Sequence, residues 1–166
     1  MKRRKFLFFG SIFALGTQIE AKKTTVFEEN FTEVEATLGA VLEHLFPQGS
    51  CIPSAKEMHL TTFLFETMAH SSFDRDIKAF VLEGAKELEK REKHIFAKLN
   101  HEKKEKALRA YEKTNYGSNW IGRMMTLGME GLFSDPIYGS NSQEKSWQSI
   151  KAYGASPRAK EKYLGV

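Results

Sequence analysis

The sequence predicts an all-α protein: a compact bundle of about five helices, then a long irregular C-terminal segment rich in glycine, proline and aromatic residues. Three observations carry this. Apolar residues recur at steps of three and four through most of residues 32–128. No run alternates apolar and polar residues over the length of a strand, and no repeat is present. From Gly128 to Ala155 the helical period is lost and glycines, a proline and large aromatics take over. A chain of 166 residues, 41% apolar and 28% charged, is the size and composition of one globular domain with its own core. Four prolines and no low-complexity tract argue against extended disorder.

Residues 1–21 read as an address rather than as part of the bundle. A basic start, Lys2 to Lys5, precedes an apolar run from Phe6 to Gly16. That run is shorter than the ~20 residues a spanning helix needs and fits the apolar region of a signal peptide. Arg3 and Arg4, one intervening residue, then Phe6 and Leu7 resemble the twin-arginine export signal, with Lys2 where Ser or Thr is usual. An arginine-rich ordinary secretion signal and an uncleaved anchor are the other readings. The expected organisation is a twin-arginine-type signal over 1–21 and a single helical domain over 22–166. Cleavage after Ala21 removes four basic residues and one acidic residue, which lowers the formal net charge from +4 to +1. The basic character therefore sits mostly in the signal, and a nucleic-acid role loses its electrostatic basis. The twin-arginine route moves folded proteins, often with a cofactor inside. A small protein without a cofactor motif has reason to use it if a cofactor-loaded companion travels with it.

The first helix is placed from Thr32, where Thr32-x-x-Glu35 matches a capping box and Val34, Leu38, Val41, Leu42 and Leu45 follow at helical spacing. Pro47 and Gly49 stop it. Ser54-x-x-Glu57 is a second capping box, opening a helix to about Ala69 with Met58, Leu60, Leu64, Phe65 and Met68 apolar on more than one side. The third helix carries Phe73, Ile77, Phe80, Val81, Gly84, Leu88, Arg91 and Ile95 on one stripe. Lys86, Glu87, Glu89, Lys90, Glu92 and Lys93 form a solvated opposite face. A fourth, from about His101 to Lys113, turns Ala107, Leu108 and Tyr111 inward. Tyr116-Gly117-Ser118 reads as a break, Asn119 as the next N-cap, and Trp120, Met124, Leu127 and Gly128 as the inner face of a fifth helix. The tail from Ser156 is polar and expected to be partly mobile.

No catalytic constellation accompanies this body. His44, His59, His70, His94 and His101 include no pair with the spacing and glutamate of a helical zinc site, and surface histidines are the expectation. Cys51 is the single cysteine, so no intrachain disulfide forms, and no nucleophile signature surrounds it. Serine-elbow, phosphate-loop and dinucleotide motifs are absent from the sequence. Asp74 and Asp76 suit a helix N-terminus, and the methionines suit core filling. Catalytic, cofactor-binding and metal-binding residues are therefore expected to be none in this chain, which suits an accessory subunit better than an enzyme.

The specific stretch is Gly128–Ala155. Asp135-Pro136 fixes one turn and Tyr138-Gly139-Ser140-Asn141 another, while Gly128, Gly131 and Gly139 permit backbone angles that other residues resist. Leu132, Phe133, Ile137, Tyr138, Trp147 and Tyr153 make it too apolar for a mobile linker. It either closes the protein's own core or presents a docking surface, since Tyr and Trp are favoured interface anchors.

The run Gly131-Leu132-Phe133, two residues, Pro136, one residue, Tyr138-Gly139, one residue, Asn141, followed by Trp147, resembles the gluconate 2-dehydrogenase subunit 3 family. These are small subunits of exported flavin-dependent sugar and sugar-acid dehydrogenases. Ser140 and Ser146 stand where the family pattern has glycines. The resemblance implies a large partner of the glucose-methanol-choline oxidoreductase type that holds FAD and the active site, and a possible third subunit carrying haem c. It implies that this chain helps the flavoprotein mature and carries both through the twin-arginine translocase into the periplasm, where the complex associates with the inner membrane. On that reading Phe133, Asp135, Pro136, Tyr138, Gly139, Asn141 and Trp147 are the candidate partner interface. The alternatives are a free-standing periplasmic helical protein that binds a small molecule, and a scaffold anchored by residues 6–16.

Overall fold

The computed structural model describes residues 25–154, 156–158 and 160–162, and these are helical with no strand among them. The signal residues Arg3, Arg4, Phe6 and Leu7 lie outside the described residues.

Helix α1 is Val26–Leu45, and it starts earlier than expected. Thr-x-x-Glu occurs at both residue 25 and residue 32 near this helix start, and the copy at Thr25 is the cap. The Thr25 hydroxyl accepts from the Glu28 amide at 3.2 Å, and Glu28 Oε2 accepts from the Thr25 amide at 2.6 Å. Thr32 lies inside the helix, its hydroxyl donating to the Glu28 carbonyl at 2.8 Å. The added turns carry Phe27 and Phe31, which meet Phe65 in a cluster with ring centroids 5.1–5.8 Å apart. Burying a phenylalanine contributes about 2 kcal/mol, more than a typical cap, so tertiary packing selects the earlier start. The helix ends before Pro47 as expected. Val34, Leu38, Val41 and Leu42 are buried, and α1 is the central helix, packed against each of the four longer helices that follow it in the chain.

The second capping box closes one turn only. Ser54 Oγ accepts from the Glu57 amide at 3.2 Å, but His59 then takes a left-handed φ of 54° and α2 runs Leu60–Ala69. Residues two apart on one helix point about 200° away from each other. The jog at His59 lets Met58 and Leu60 both enter the core, at 0% and 1% exposure.

Helix α3, Arg75–Arg91, is capped by Asp74, whose carboxylate accepts from the amides of Asp76 and Ile77. It stops short of Ile95. Lys93 and His94 adopt positive φ and turn the chain, leaving Ile95 exposed and burying Phe96 in a 3-10 turn, Phe96–Lys98, against α1. The charged face is not wholly solvated. Lys86 Nζ reaches Glu33 at 2.7 Å and Asn30 at 2.8 Å, and the Thr37 hydroxyl donates to Glu89, so two of its residues tie α3 to α1.

Helix α4, His101–Glu112, buries Ala107, Leu108 and Tyr111 as the periodicity predicts. Helix α5 is Asn115–Phe133, capped by Thr114 rather than Asn119. Gly117 is no break: it lies in the first turn, where a Cβ would run into the Tyr111 carbonyl. Gly128 and Gly131 are likewise helical. Their role is close packing, with the Phe46 ring over Gly128 and Leu60 and Phe63 over Gly131. The tightest crossing joins α3 to α5. A Cβ on Gly84 would fall within the Trp120 indole, whose Nε1 donates to the Val81 carbonyl at 3.0 Å, while the Tyr111 hydroxyl donates to the Gly84 carbonyl at 3.1 Å. A short helix α6, Lys145–Ser149, completes the described fold.

Candidate functional site: the C-terminal aromatic segment

Beyond α5 the chain folds on itself through side-chain hydrogen bonds rather than regular structure. Ser134 caps α5 and Asp135 opens the next turn, its carboxylate accepting from the Ile137 amide at 3.1 Å. Proline follows as the first residue of the 3-10 turn Pro136–Tyr138, where its missing N–H costs nothing. Gly139 then takes φ 89°, a left-handed angle that glycine adopts freely. The turn expected at Asp135-Pro136 is present as this 3-10 turn, and at Tyr138-Gly139 the chain bends where that turn ends.

Asn141 is the centre of the segment. It is fully buried, its amide Nδ2 donates to the Ser134 carbonyl at 2.9 Å, and its Oδ1 accepts from the Ser146 amide at 3.0 Å. One side chain thus joins the end of α5 to the start of α6. Its φ of 49° is one that Asn tolerates better than most residues. Ser140, also buried, donates to the Met58 carbonyl at 2.7 Å and fastens the segment to the jog before α2. Trp147 is half-buried and its Nε1 donates to the Phe133 carbonyl at 3.0 Å.

The polar tail contributes a clamp. Arg158 lies over the Trp147 ring with its guanidinium carbon 4.3 Å from the centroid. It pairs with Asp135 at 3.0 Å and Glu144 at 2.8 Å. The Ile137 amide hydrogen bond, and after it Arg158, hold the Asp135 carboxyl below the ordinary carboxylate range. Lys145 pairs with Glu57 at 2.7 Å, a second link to the body. The expectation of a partly mobile tail does not extend to Arg158, whose three partners fix it.

The structure therefore brings together Phe133, Asp135, Asn141 and Trp147, with Pro136 and Tyr138 half-buried on the adjoining turn and Gly139 exposed at its tip. Asn141 and Asp135 act inside the segment as its braces. Ile150 and Tyr153 face outward at 52% and 90% exposure, with part of Phe133, Tyr138 and Trp147, and beside them stand the exposed polar residues Gln143, Gln148, Ser149 and Lys151. Sequence reasoning passed over Ser140, Ser146 and Arg158 as site residues. The two serines were visible as departures from a glycine pattern; nothing local marks Arg158.

The histidine reading is corrected at one position. His44 is not a surface residue; its side chain is 7% exposed, with Nε2 2.5 Å from Glu105 Oε2 and its ring 4.6 Å from that of His101. The hydrogen bonds from His44 and then Arg109 lower the Glu105 carboxyl below its usual range. Among the described residues no group of three or more His, Cys, Asp or Glu could hold a metal ion, and Cys51 is exposed and free. No described helix is long and apolar enough to cross a membrane.

The family model for gluconate 2-dehydrogenase subunit 3 matches residues 32–154, from within α1 to the end of the aromatic segment and more than half of the chain. Neither the curated proteins nor the solved structures contain a match.

Proposed function

The chain belongs to the gluconate 2-dehydrogenase subunit 3 family, a subunit of a multi-subunit gluconate dehydrogenase, and from that premise we propose that it is the non-catalytic small subunit that matures and exports an FAD-carrying large subunit. The observation that carries this reading is the braced segment from Phe133 to Trp147. Asn141, Asp135 and Arg158 brace it from within, and parts of Phe133, Tyr138 and Trp147 face outward beside polar residues such as Gln143. A surface held rigid before binding loses little conformational entropy on docking, which favours tight association. Trp and Tyr are the side chains that such anchors use most.

In this account the large subunit supplies FAD, the active site and the sugar or sugar-acid specificity, and a third subunit with haem c passes electrons onward. This chain contributes shape and address. Residues 133–147 bind the folded flavoprotein, and Arg3 and Arg4 commit the pair to the twin-arginine translocase. The mature complex stands in the periplasm against the inner membrane.

The test replaces both arginines with lysine, Arg3→Lys and Arg4→Lys, in the full chain expressed with its flavoprotein. The flavin-dependent dehydrogenase activity is then expected to accumulate in the cytoplasm. Undiminished periplasmic activity would contradict co-export.

A further inference from the structure

The indole of Trp147 is engaged by its own chain on an edge, a face and a corner. Its Nε1 edge donates to the Phe133 carbonyl at 3.0 Å. The Arg158 guanidinium lies over one face, its carbon 4.3 Å from the ring centroid. At the far corner stands Gly154, where an added Cβ would come within 2.8 Å of Trp147 Cη2 and 2.5 Å of an Arg158 nitrogen. Gly154 is not among the glycines with positive φ, so its backbone does not require glycine. What its missing side chain provides is room for the guanidinium beside the indole.

This cover is held by electrostatic contacts. Arg158 pairs with Asp135 at 3.0 Å and Glu144 at 2.8 Å, and Lys162 reaches Glu66 of α2 at 3.4 Å. The other described tail residues, Ser156, Pro157, Lys160 and Glu161, are exposed, so no apolar side chain anchors the described tail. Exposed ion pairs contribute little each and are screened by salt, and a cation over a solvent-facing ring adds a modest amount. The segment beneath is held differently. Asn141 joins Ser134 to Ser146, Asp135 accepts from the Ile137 amide, and Ser140 donates to the Met58 carbonyl. None of these bonds involves Arg158, so the cover can lift while the segment keeps its internal ties.

We propose that the tail around Arg158 is an ionic lid on Trp147: it covers the indole face in the free chain and lifts when the large subunit takes that face. This rests on the proposed function and adds a device that masks its anchor until docking. An aromatic anchor works by burying its ring in a partner's pocket. With one edge on Phe133 and one face under Arg158, Trp147 has little ring left to bury until the guanidinium moves. A protein whose binding-competent form is a minor population binds with an affinity reduced by that fraction, so a lid closed in about nine chains of ten weakens apparent affinity about tenfold. Were Arg158 needed instead to brace the segment for docking, its removal would weaken binding. The two roles therefore differ in sign.

The experiment uses the full chain as wild type, Arg158→Ala and Arg158→Lys. Acrylamide quenching of tryptophan fluorescence reads the lid in the purified chain, because Trp120 is 0% exposed and Trp147 is the other tryptophan. Arg158→Ala is expected to raise the quenching constant about twofold or more, with Arg158→Lys between and Tm within a few degrees of wild type for both. Raising NaCl to ~0.5 M should increase quenching in wild type and leave Arg158→Ala unchanged. For docking, wild type and Arg158→Ala are expressed together in the chain's own host under one affinity tag. Flavin-bearing and free fractions are separated by size, and the ratio of the two chains in each is read by mass. Arg158→Ala is expected to be enriched about three- to tenfold in the flavin-bearing fraction relative to the free one. Unchanged quenching with Arg158→Ala overturns the proposal. So does raised quenching with equal partition, or with wild type enriched, which would make Arg158 a brace and leave the proposed function intact. If neither chain travels with flavin, both the lid and the proposed function fall.

Discussion

Replacing Asn141 with alanine removes its two bonds, one to the end of α5 and one to the start of α6. The Ser134 carbonyl and the Ser146 amide lose their partner in a site where Asn141 itself is 0% exposed. Each buried group left unpaired costs about 1–3 kcal/mol, less where water enters. Alanine at φ 49° adds about 1 kcal/mol that asparagine largely avoids. Together these destabilise the closed segment by about 3–7 kcal/mol. The bundle has its own core around α1, so the loss is expected as local opening rather than global unfolding. Amide exchange over residues 137–152 should accelerate at least ~100-fold, the equivalent of about 3 kcal/mol, while amides in the middle of α1 and α3 keep their protection. Asn141→Asp retains the acceptor for Ser146 but not the donor to Ser134, and should fall between. Acceleration below about tenfold in 137–152, or equal acceleration in segment and core, would refute the claim that Asn141 braces the segment separately from the bundle.

Three further outcomes follow from the same contacts. Gly84→Ala puts a methyl into the Trp120 ring; overpacking at about 1–3 kcal/mol and a weakened Trp120–Val81 hydrogen bond at about 1 kcal/mol should lower Tm by about 4–16 °C, read by thermal denaturation. The Asp135 carboxyl is held below its ordinary value of 3.8, so its contribution is complete above that pH and is lost as pH falls through the lower folded value. Segment protection in wild type should decline across that acid window, whereas Asp135→Asn starts lower and stays flat there. Trp147→Ala should reduce retained flavoprotein more than it reduces Tm, because large interface aromatics typically contribute about 2 kcal/mol or more; equal loss of both would make Trp147 a core residue.

The periodic parts of the chain were legible because one signal dominates there. Ala107, Leu108 and Tyr111 repeat at helical spacing, as do Trp120, Met124 and Leu127, and all are buried. Helix ends were harder, since two equal capping patterns at Thr25 and Thr32 differ only in what Phe27 and Phe31 gain by packing on Phe65, a contact some 35 residues away in sequence. Gly117, Gly128 and Gly131 read as turn formers, yet each is a point of close approach that only the fold reveals. In the candidate site the turns at Asp135-Pro136 and Gly139 were readable, because proline and glycine carry their geometry with them. Asn141 stood out in the motif, but its task did not: its partner is the Ser134 carbonyl, released where α5 ends, and that end lies beyond the Gly128 at which the helical period is lost. Arg158 has its partners 14 and 23 residues back and no local mark at all.

The most direct test of the central claim is to purify the tagged chain from periplasm and membranes of its own host and record the visible spectrum together with the mass of whatever accompanies it. The account predicts a flavin spectrum and a stoichiometric large subunit that binds FAD. A colourless 19.0 kDa chain, or a somewhat shorter processed form, eluting alone would contradict it.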